Sequence, residues 1–257
     1  MLILDAHTHF ACSRWEGHKW IHNSLEEAIS VQKNNGVSGC VFCSWRAVLA
    51  DTLEDFVAGN KETLEIYDKY PEYLYPGLIL HPVFFKESMY FMDMFRERGL
   101  VWVGEMIPHK KIYQEFDDPA YEPLFKACAD NNMIVQLHNS HGVPFVAEKF
   151  STLQVVASHL WQDVLERESK IPNLMIDFSG MRGGCVSNSL TQTRALFGAK
   201  RMLYGTDFEG YDPLPFQIRA KRDFPESEQG DIFAGNLLRL LKKHNSCPAF
   251  GNLLDDK

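Results

Sequence analysis

Eight short apolar runs, each followed by a segment with room for a helix, constrain the fold of this chain more than any other feature. Rich in β-branched and aromatic residues, they predict strands at Leu2–His7, Val37–Phe42, Leu74–Leu80, Val101–Glu105, Met133–His138, Gln154–His159, Leu174–Phe178 and Met202–Thr206. Between them, Leu25, Ile29 and Gln32 follow Ser24, a helix cap with Glu27 three residues on. Helical faces recur from Phe56 to Tyr67, Met89 to Arg96, Tyr121 to Cys128, Trp161 to Leu165, Leu190 to Phe197 and Ile232 to Leu241. Asn139–Phe150 carries no clear period. Alternating strands and helices imply parallel pairing through right-handed crossovers. Eight such units close a barrel, whereas an open doubly wound sheet would more often have fewer strands and a glycine-rich phosphate turn. Neither G-x-G-x-x-G nor G-x-x-x-x-G-K-[ST] occurs. The expectation is an α/β fold, a single (β/α)8 barrel over residues 1–257, for which about 250 residues is an ordinary length.

A net charge of −8 argues against general affinity for nucleic acid or anionic membranes, though a local basic pocket remains compatible with it. No run approaches the roughly 18 apolar residues of a spanning helix. The first residues lack the basic-then-apolar pattern of a secretory signal, so a cytoplasmic protein is expected. Six scattered cysteines (Cys12, Cys40, Cys43, Cys128, Cys185, Cys247) read as free thiols. Cys40-Val-Phe-Cys43 lies in a predicted strand and has no second C-x-x-C partner for a zinc site.

Metal-compatible side chains gather where predicted strands end. His7 and His9 flank Thr8 at the first strand, and positions two apart on a strand share a face. Two imidazoles so placed can converge on one ion. Glu105 ends the fourth strand, His138 the fifth and His159 the sixth, and Asp207 follows the eighth. In a barrel these ends meet at one mouth, the mouth that carries catalysis. Crowding buried carboxylates and imidazoles there without a cation would be costly.

The order H-x-H, G-E, His, His, Asp, with Asp5-Ala-His-Thr-His9 near the start and Leu203-Tyr-Gly-Thr-Asp-Phe208 near the end, resembles the amidohydrolase superfamily. More narrowly, it resembles the amidohydrolase-related (amidohydrolase 2) metal-dependent hydrolases with a TIM barrel. Pro172-Asn-Leu-Met-Ile-Asp-Phe-Ser-Gly180 is similar to that group's seventh-strand segment, and Phe233-Ala-Gly-Asn236 to its last helix. With the first strand so near Met1, the resemblance implies the compact form without a flanking β-sandwich. It also implies His7, His9, His138 and Asp207 as ligands of a divalent metal, with Glu105 and His159 completing a second site. Binuclear relatives often bridge their ions with a carbamylated lysine; Glu105 resembles the bridging glutamate of TatD-like hydrolases, and Lys110 and Lys111 lie past it. One or two ions fit this set, with Zn²⁺ expected first and Mn²⁺, Fe²⁺ or Ni²⁺ compatible.

The resemblance implies hydrolysis of an amide, lactone or ester in a small molecule. Metal-bound hydroxide would be the nucleophile, since a cation lowers water's pKa toward ~7. Asp207 would shuttle its proton. His159 would bind a second ion or, with one ion, hydrogen-bond the oxyanion. The alternative is zinc-dependent non-oxidative decarboxylation of an aromatic or unsaturated acid, for which Arg14, Arg46 and Arg182 are candidate substrate contacts. A TatD-like nuclease is disfavoured by the charge, and a non-catalytic metal- or ligand-binding barrel would need no proton shuttle. Trp15, Trp20 and Trp45 follow the first two strands and suit either a pocket wall or plain packing; His18, His22, His81, His109 and His141 are further mouth candidates. His244 fits a helix C-terminus. A small-molecule partner is expected, and a homodimer is common for such barrels.

Overall fold

Each predicted strand is present in the structure, a computed structural model that describes residues 1–11, 22–108 and 115–247. The strands are β1 (Leu4–Phe10), β2 (Gly39–Ser44), β3 (Leu74–Leu78), β4 (Trp102–Met106), β5 (Ile134–His138), β6 (Gln154–Ser158), β7 (Leu174–Asp177) and β8 (Met202–Leu203). They hydrogen-bond in sequence order, every pair parallel. Thr8 bridges Phe208, and the Ala6 N–H donates to the Tyr204 carbonyl at 2.9 Å, drawing β8 back to β1. The result is a nearly closed (β/α)8 TIM barrel. Sandwiched between the barrel interior and an outer ring of helices, β2, β3, β4, β6 and β7 are buried at every residue. That burial on both faces is why they read as continuous apolar runs.

The helices that return the chain include Leu25–Asn34, Leu53–Lys69, Phe85–Glu97, Glu122–Asp130 and Gln162–Ser169. Ser24 caps the first of them as expected, accepting from the Glu27 N–H at 3.1 Å. Glu27 turns back to the Asn23 N–H at 2.8 Å rather than to Ser24's own, so the reciprocal half of the capping box is shifted by one residue. Several boundaries differ from the sequence reading, among them β8, which is two residues long where five were expected. β1 runs on through Phe10 and holds both His7 and His9. Asn139–Phe150 contains a helix, Gly142–Lys149, whose Pro144 in the first turn obscured its period. The segment expected as one helix from Ile232 begins as a π turn, Asp231–Gly235, before Asn236–Lys243 becomes α-helical.

Two irregularities aim side chains inward. The β1–β2 register shifts between Asp5 and Thr8, and the β4–β5 register between Val103 and Met106, so His7 and Glu105 both sit where the ladder is displaced. Gly104 has φ +109°, and a Cβ there would lie 2.1 Å from the Gln136 carbonyl oxygen, so only glycine fits before Glu105. No helix among the described residues is long and apolar enough to cross a membrane.

Candidate metal centre

The residues predicted at separate strand ends meet at one place. His7 and His9 project from β1 with their Nε2 atoms 3.2 Å apart. Glu105, almost fully buried, stands between two pairs of imidazoles. Its Oε2 faces His7 Nε2 at 3.2 Å and His9 Nε2 at 3.6 Å. Its Oε1 faces His138 Nδ1 at 2.9 Å and His159 Nε2 at 3.2 Å. Asp207 Oδ1 lies 3.3 Å from His9 Nε2 and 3.6 Å from His7 Nε2. Three groups of potential ligand atoms follow, His7–His9–Glu105–Asp207, Glu105–His138–His159 and His7–His159–Asp177, each with its donor atoms within 4.8 Å of one another. The first two share Glu105.

Backbone conformation helps deliver these groups. Five described non-glycine residues have positive φ; three are Asn132, Asn188 and Asn245, which tolerate it, and the other two are His159 (φ 67°) and Asp207 (φ 64°). Each such conformation costs on the order of 1 kcal/mol, and strain of this kind collects at functional sites. The Asp207 N–H is anchored by donating to the His7 carbonyl at 2.8 Å, which ties β8's end to β1. Trp45 stacks on His9 with centroids 4.0 Å apart, so its part is to pack a site residue.

Protein charges alone already respond to this crowding. Burial opposes a charge on His7, yet the carboxylates of Glu105 and Asp177 overcome it and hold the ring well above its usual pKa. For His9 the same burial is outweighed by Cys43 and by Asp207 and Glu105. Burial would raise Glu105, but His7, His159 and the hydrogen bond from His138 hold it well below the carboxylate range. Protons on imidazoles therefore balance the acids, and a divalent ion is the natural replacement for those protons. The donor set fits one. Imidazole nitrogens and carboxylate oxygens suit Zn²⁺, Mn²⁺, Fe²⁺ or Ni²⁺. Two nitrogens about 2.1 Å from a shared tetrahedral zinc would sit about 3.4 Å apart, close to the 3.2 Å between His7 and His9.

Beside the cluster opens a cavity of about 410 Å³, lined by His138, Asn139, His159, Trp161, Met181, Arg182, Asp207 and Tyr211, among others. Of the three arginines singled out in the sequence, Arg182 lines it, and its guanidinium has no ion-pair partner among the described residues. Arg46 does not line it. Its Nε donates to Asp55, on the next helix, at 3.0 Å. Arg14 lies outside the described residues, as do Trp15, His18, Trp20, His109, Lys110 and Lys111. His22 pairs with Glu209 at 3.1 Å, and His141 packs on Trp161 with centroids 4.9 Å apart. His81 stacks on Phe84 and accepts the Val83 N–H, while the Nδ1 of His244 lies 2.8 Å from the Asn132 carbonyl oxygen. Cys40, Cys43, Cys128, Cys185 and Cys247 are free thiols.

The sequence reading missed a buried layer behind the site. Asp177 at the end of β7, Ser179 two residues on and Gln136 within β5 connect to His7 and His159 by hydrogen bonds. A carboxylate closing the apolar run Leu174-Met-Ile-Asp177 was the available signal, the same one used for Glu105.

Comparison with known proteins agrees with this architecture. The family profile described as amidohydrolase (amidohydrolase 2) matches residues 105–243, more than half of the chain. No curated protein matches in sequence. Among solved structures, an uncharacterized TIM-barrel protein of Bordetella bronchiseptica is 21% identical, covering 86% of this chain and 84% of its own, with a TM-score of 0.68. A 5-carboxyvanillate decarboxylase of Sphingomonas paucimobilis is 15% identical over 84% and 82%, with a TM-score of 0.65. A probable 2-pyrone-4,6-dicarboxylic acid hydrolase of Acinetobacter baumannii is 16% identical over 94% and 100%, with a TM-score of 0.69. At such identities these structures establish the shared fold. From the family match, which includes Glu105, His138, His159 and Asp207, the chain belongs to the amidohydrolase family.

Proposed function

We propose that this protein is a metal-dependent hydrolase of a small-molecule ester, lactone or amide, with zinc the expected metal. The observation that carries the reading is the divided carboxylate of Glu105, one oxygen toward His7 and His9 and the other toward His138 and His159. Glu105 would thus be available to ions on both sides, with Asp207 joining His7 and His9 in holding one of them. Ions held by these residues would supply hydroxide at neutral pH and polarise the scissile carbonyl. Asp207 borders both the imidazole cluster and the cavity, so its carboxylate can take the proton of the attacking water and return it to the leaving group. Should a single ion bind, His159 on the cavity wall is placed to hydrogen-bond the developing oxyanion. Trp161, Tyr211 and Met181 give that cavity an apolar wall and a volume suited to a small substrate.

A second reading, non-oxidative decarboxylation, is favoured by Arg182, a cation on the cavity wall with no ion-pair partner among the described residues. Structural neighbours with named activities include a decarboxylase and a probable hydrolase. Incubating zinc-loaded protein with esters, lactones and amides, and separately with aromatic and unsaturated carboxylates, separates the readings. Hydrolysis of the first group is expected. Carbon dioxide from the second group without hydrolysis overturns it in favour of decarboxylation. No turnover by metal-loaded protein points to a binding barrel.

A further inference from the structure

We infer that Asp177, Ser179 and Gln136 are positioning residues that keep a hydrogen on Nδ1 of His7 and His159, so that Nε2 is the nitrogen each ring offers to an ion beside Glu105. The inference rests on the metal-centre reading above and concerns residues that touch neither cavity nor proposed ions.

The constraint begins at a group that can only donate. Trp102, fully buried in β4, directs its indole N–H to Gln136 Oε1 at 3.0 Å. This fixes the amide of Gln136, so its NH2 faces the other way, donating to Asp177 Oδ2 at 2.8 Å and to the Ala6 carbonyl at 3.2 Å. Asp177 must then accept. His7 Nδ1, 3.2 Å from Asp177 Oδ2, must therefore carry a hydrogen. The Ser179 hydroxyl gives its own hydrogen to Asp177 Oδ1 and is left to accept from His159 Nδ1 at 2.8 Å. Ser179 Oγ also lies 3.0 Å from His7 Nδ1, so one hydroxyl sits behind both rings.

With Nδ1 protonated on each ring, both Nε2 atoms, each 3.2 Å from Glu105, are free to ligate an ion. Asp177 could itself be mistaken for a ligand, since its oxygens lie within 4.8 Å of His7 and His159 donors. Its lone pairs are already occupied. Oδ1 accepts from the Ser179 N–H at 3.0 Å, the His159 N–H at 3.3 Å and the Ser179 hydroxyl. Oδ2 accepts from Gln136 and His7. Five donors on a side chain that is 0% exposed leave no room for an ion.

The test compares wild type, Ser179→Ala and Asp177→Asn, with zinc affinity measured against a chromophoric chelator. The imidazole nitrogens of each zinc-loaded protein are followed by 15N NMR. Loss of such a partner costs about 10–100-fold in metal affinity. Ser179→Ala should show that weakening together with a changed Nδ1–H signal from His159; Asp177→Asn should do the same for His7. Because Ser179→Ala removes one buried oxygen atom, it carries the test even if Asp177→Asn fails to fold. Wild-type zinc affinity in Ser179→Ala, or weaker binding with unchanged imidazole spectra, overturns the inference alone. Loss of one whole zinc from Asp177→Asn with the His7 signal intact makes Asp177 a ligand and also overturns it. A wild type that binds no divalent ion overturns the metal centre, and this inference with it.

Discussion

Substituting Gly180 by alanine tests how tightly the backbone after β7 fits against the site. Gly180 has φ +71°, and a Cβ there would stand 2.7 Å from His159 Nδ1, where ordinary contact begins near 3.4 Å. The ring would have to move by several tenths of an ångström. It is held by Ser179 at 2.8 Å and by Glu105 at 3.2 Å, so it cannot do so without loosening one of them. Alanine in the left-handed region costs about 1–2 kcal/mol, and overpacking adds about 1–3 kcal/mol. For a chain of this length, at about 2–4 °C per kcal/mol, the midpoint of thermal unfolding should fall by roughly 4–20 °C. Gly99, which ends the helix Phe85–Glu97, supplies the control: its φ is also +71°, but nothing lies within 4 Å of its Cβ position. Gly99→Ala should therefore show the backbone cost alone and wild-type zinc affinity. Gly180→Ala should melt lower than the control and bind zinc about 10–100-fold more weakly. Thermal melts and chelator competition on both variants decide the matter. Identical melting and zinc affinity in the two variants would refute the contact argument.

Two further outcomes are expected. Asp207→Asn keeps size but loses the proton acceptor, so turnover on an identified substrate should be abolished while most of the metal stays bound; unimpaired turnover would remove Asp207 from the mechanism. Glu168 is buried, its Oε1 without a hydrogen-bond partner among the described residues, and burial, only partly offset by Asn139, raises its pKa from 4.5 to about 8. The folded state thus binds this proton more tightly than the unfolded one. Its contribution to stability is undiminished below pH about 4.5, falls as pH rises, and is fully lost above about 8. Glu168→Gln should therefore match wild type near pH 4.5 and exceed it near pH 8.5 by a few kcal/mol, on the order of 1.36 kcal/mol per pKa unit. Urea unfolding at both pH values checks this, and a stability difference independent of pH would count against it.

The barrel was legible because its strands are enclosed on both faces, so runs such as Ile134-Val135 or Val155-Val156-Ala157 stand out without any alternation. Site residues were legible where chemistry interrupts an apolar run at its end, as at Glu105 and His138. Asp177 follows the same rule and was passed over; Gln136 could not have been found, because a polar residue inside an apolar strand looks the same whether it faces the barrel axis or a helix. Backbone geometry was hidden too. Nothing in Ser158-His159 announces a positive φ, and the two-residue length of β8 reflects Gly205-Thr206-Asp207 turning toward Asp5 and His7 rather than a weak strand signal. Arg46 shows the limit of proximity in sequence to a strand end: its partner, Asp55, is on the following helix and claims it.

The central claim concerns where ions sit, and an anomalous difference map from crystals of the zinc-loaded protein, collected at the zinc edge, addresses it most directly. Two peaks should appear on either side of Glu105, one among His7, His9 and Asp207 and the other by His138 and His159. A map with no peak among these six side chains would contradict the account.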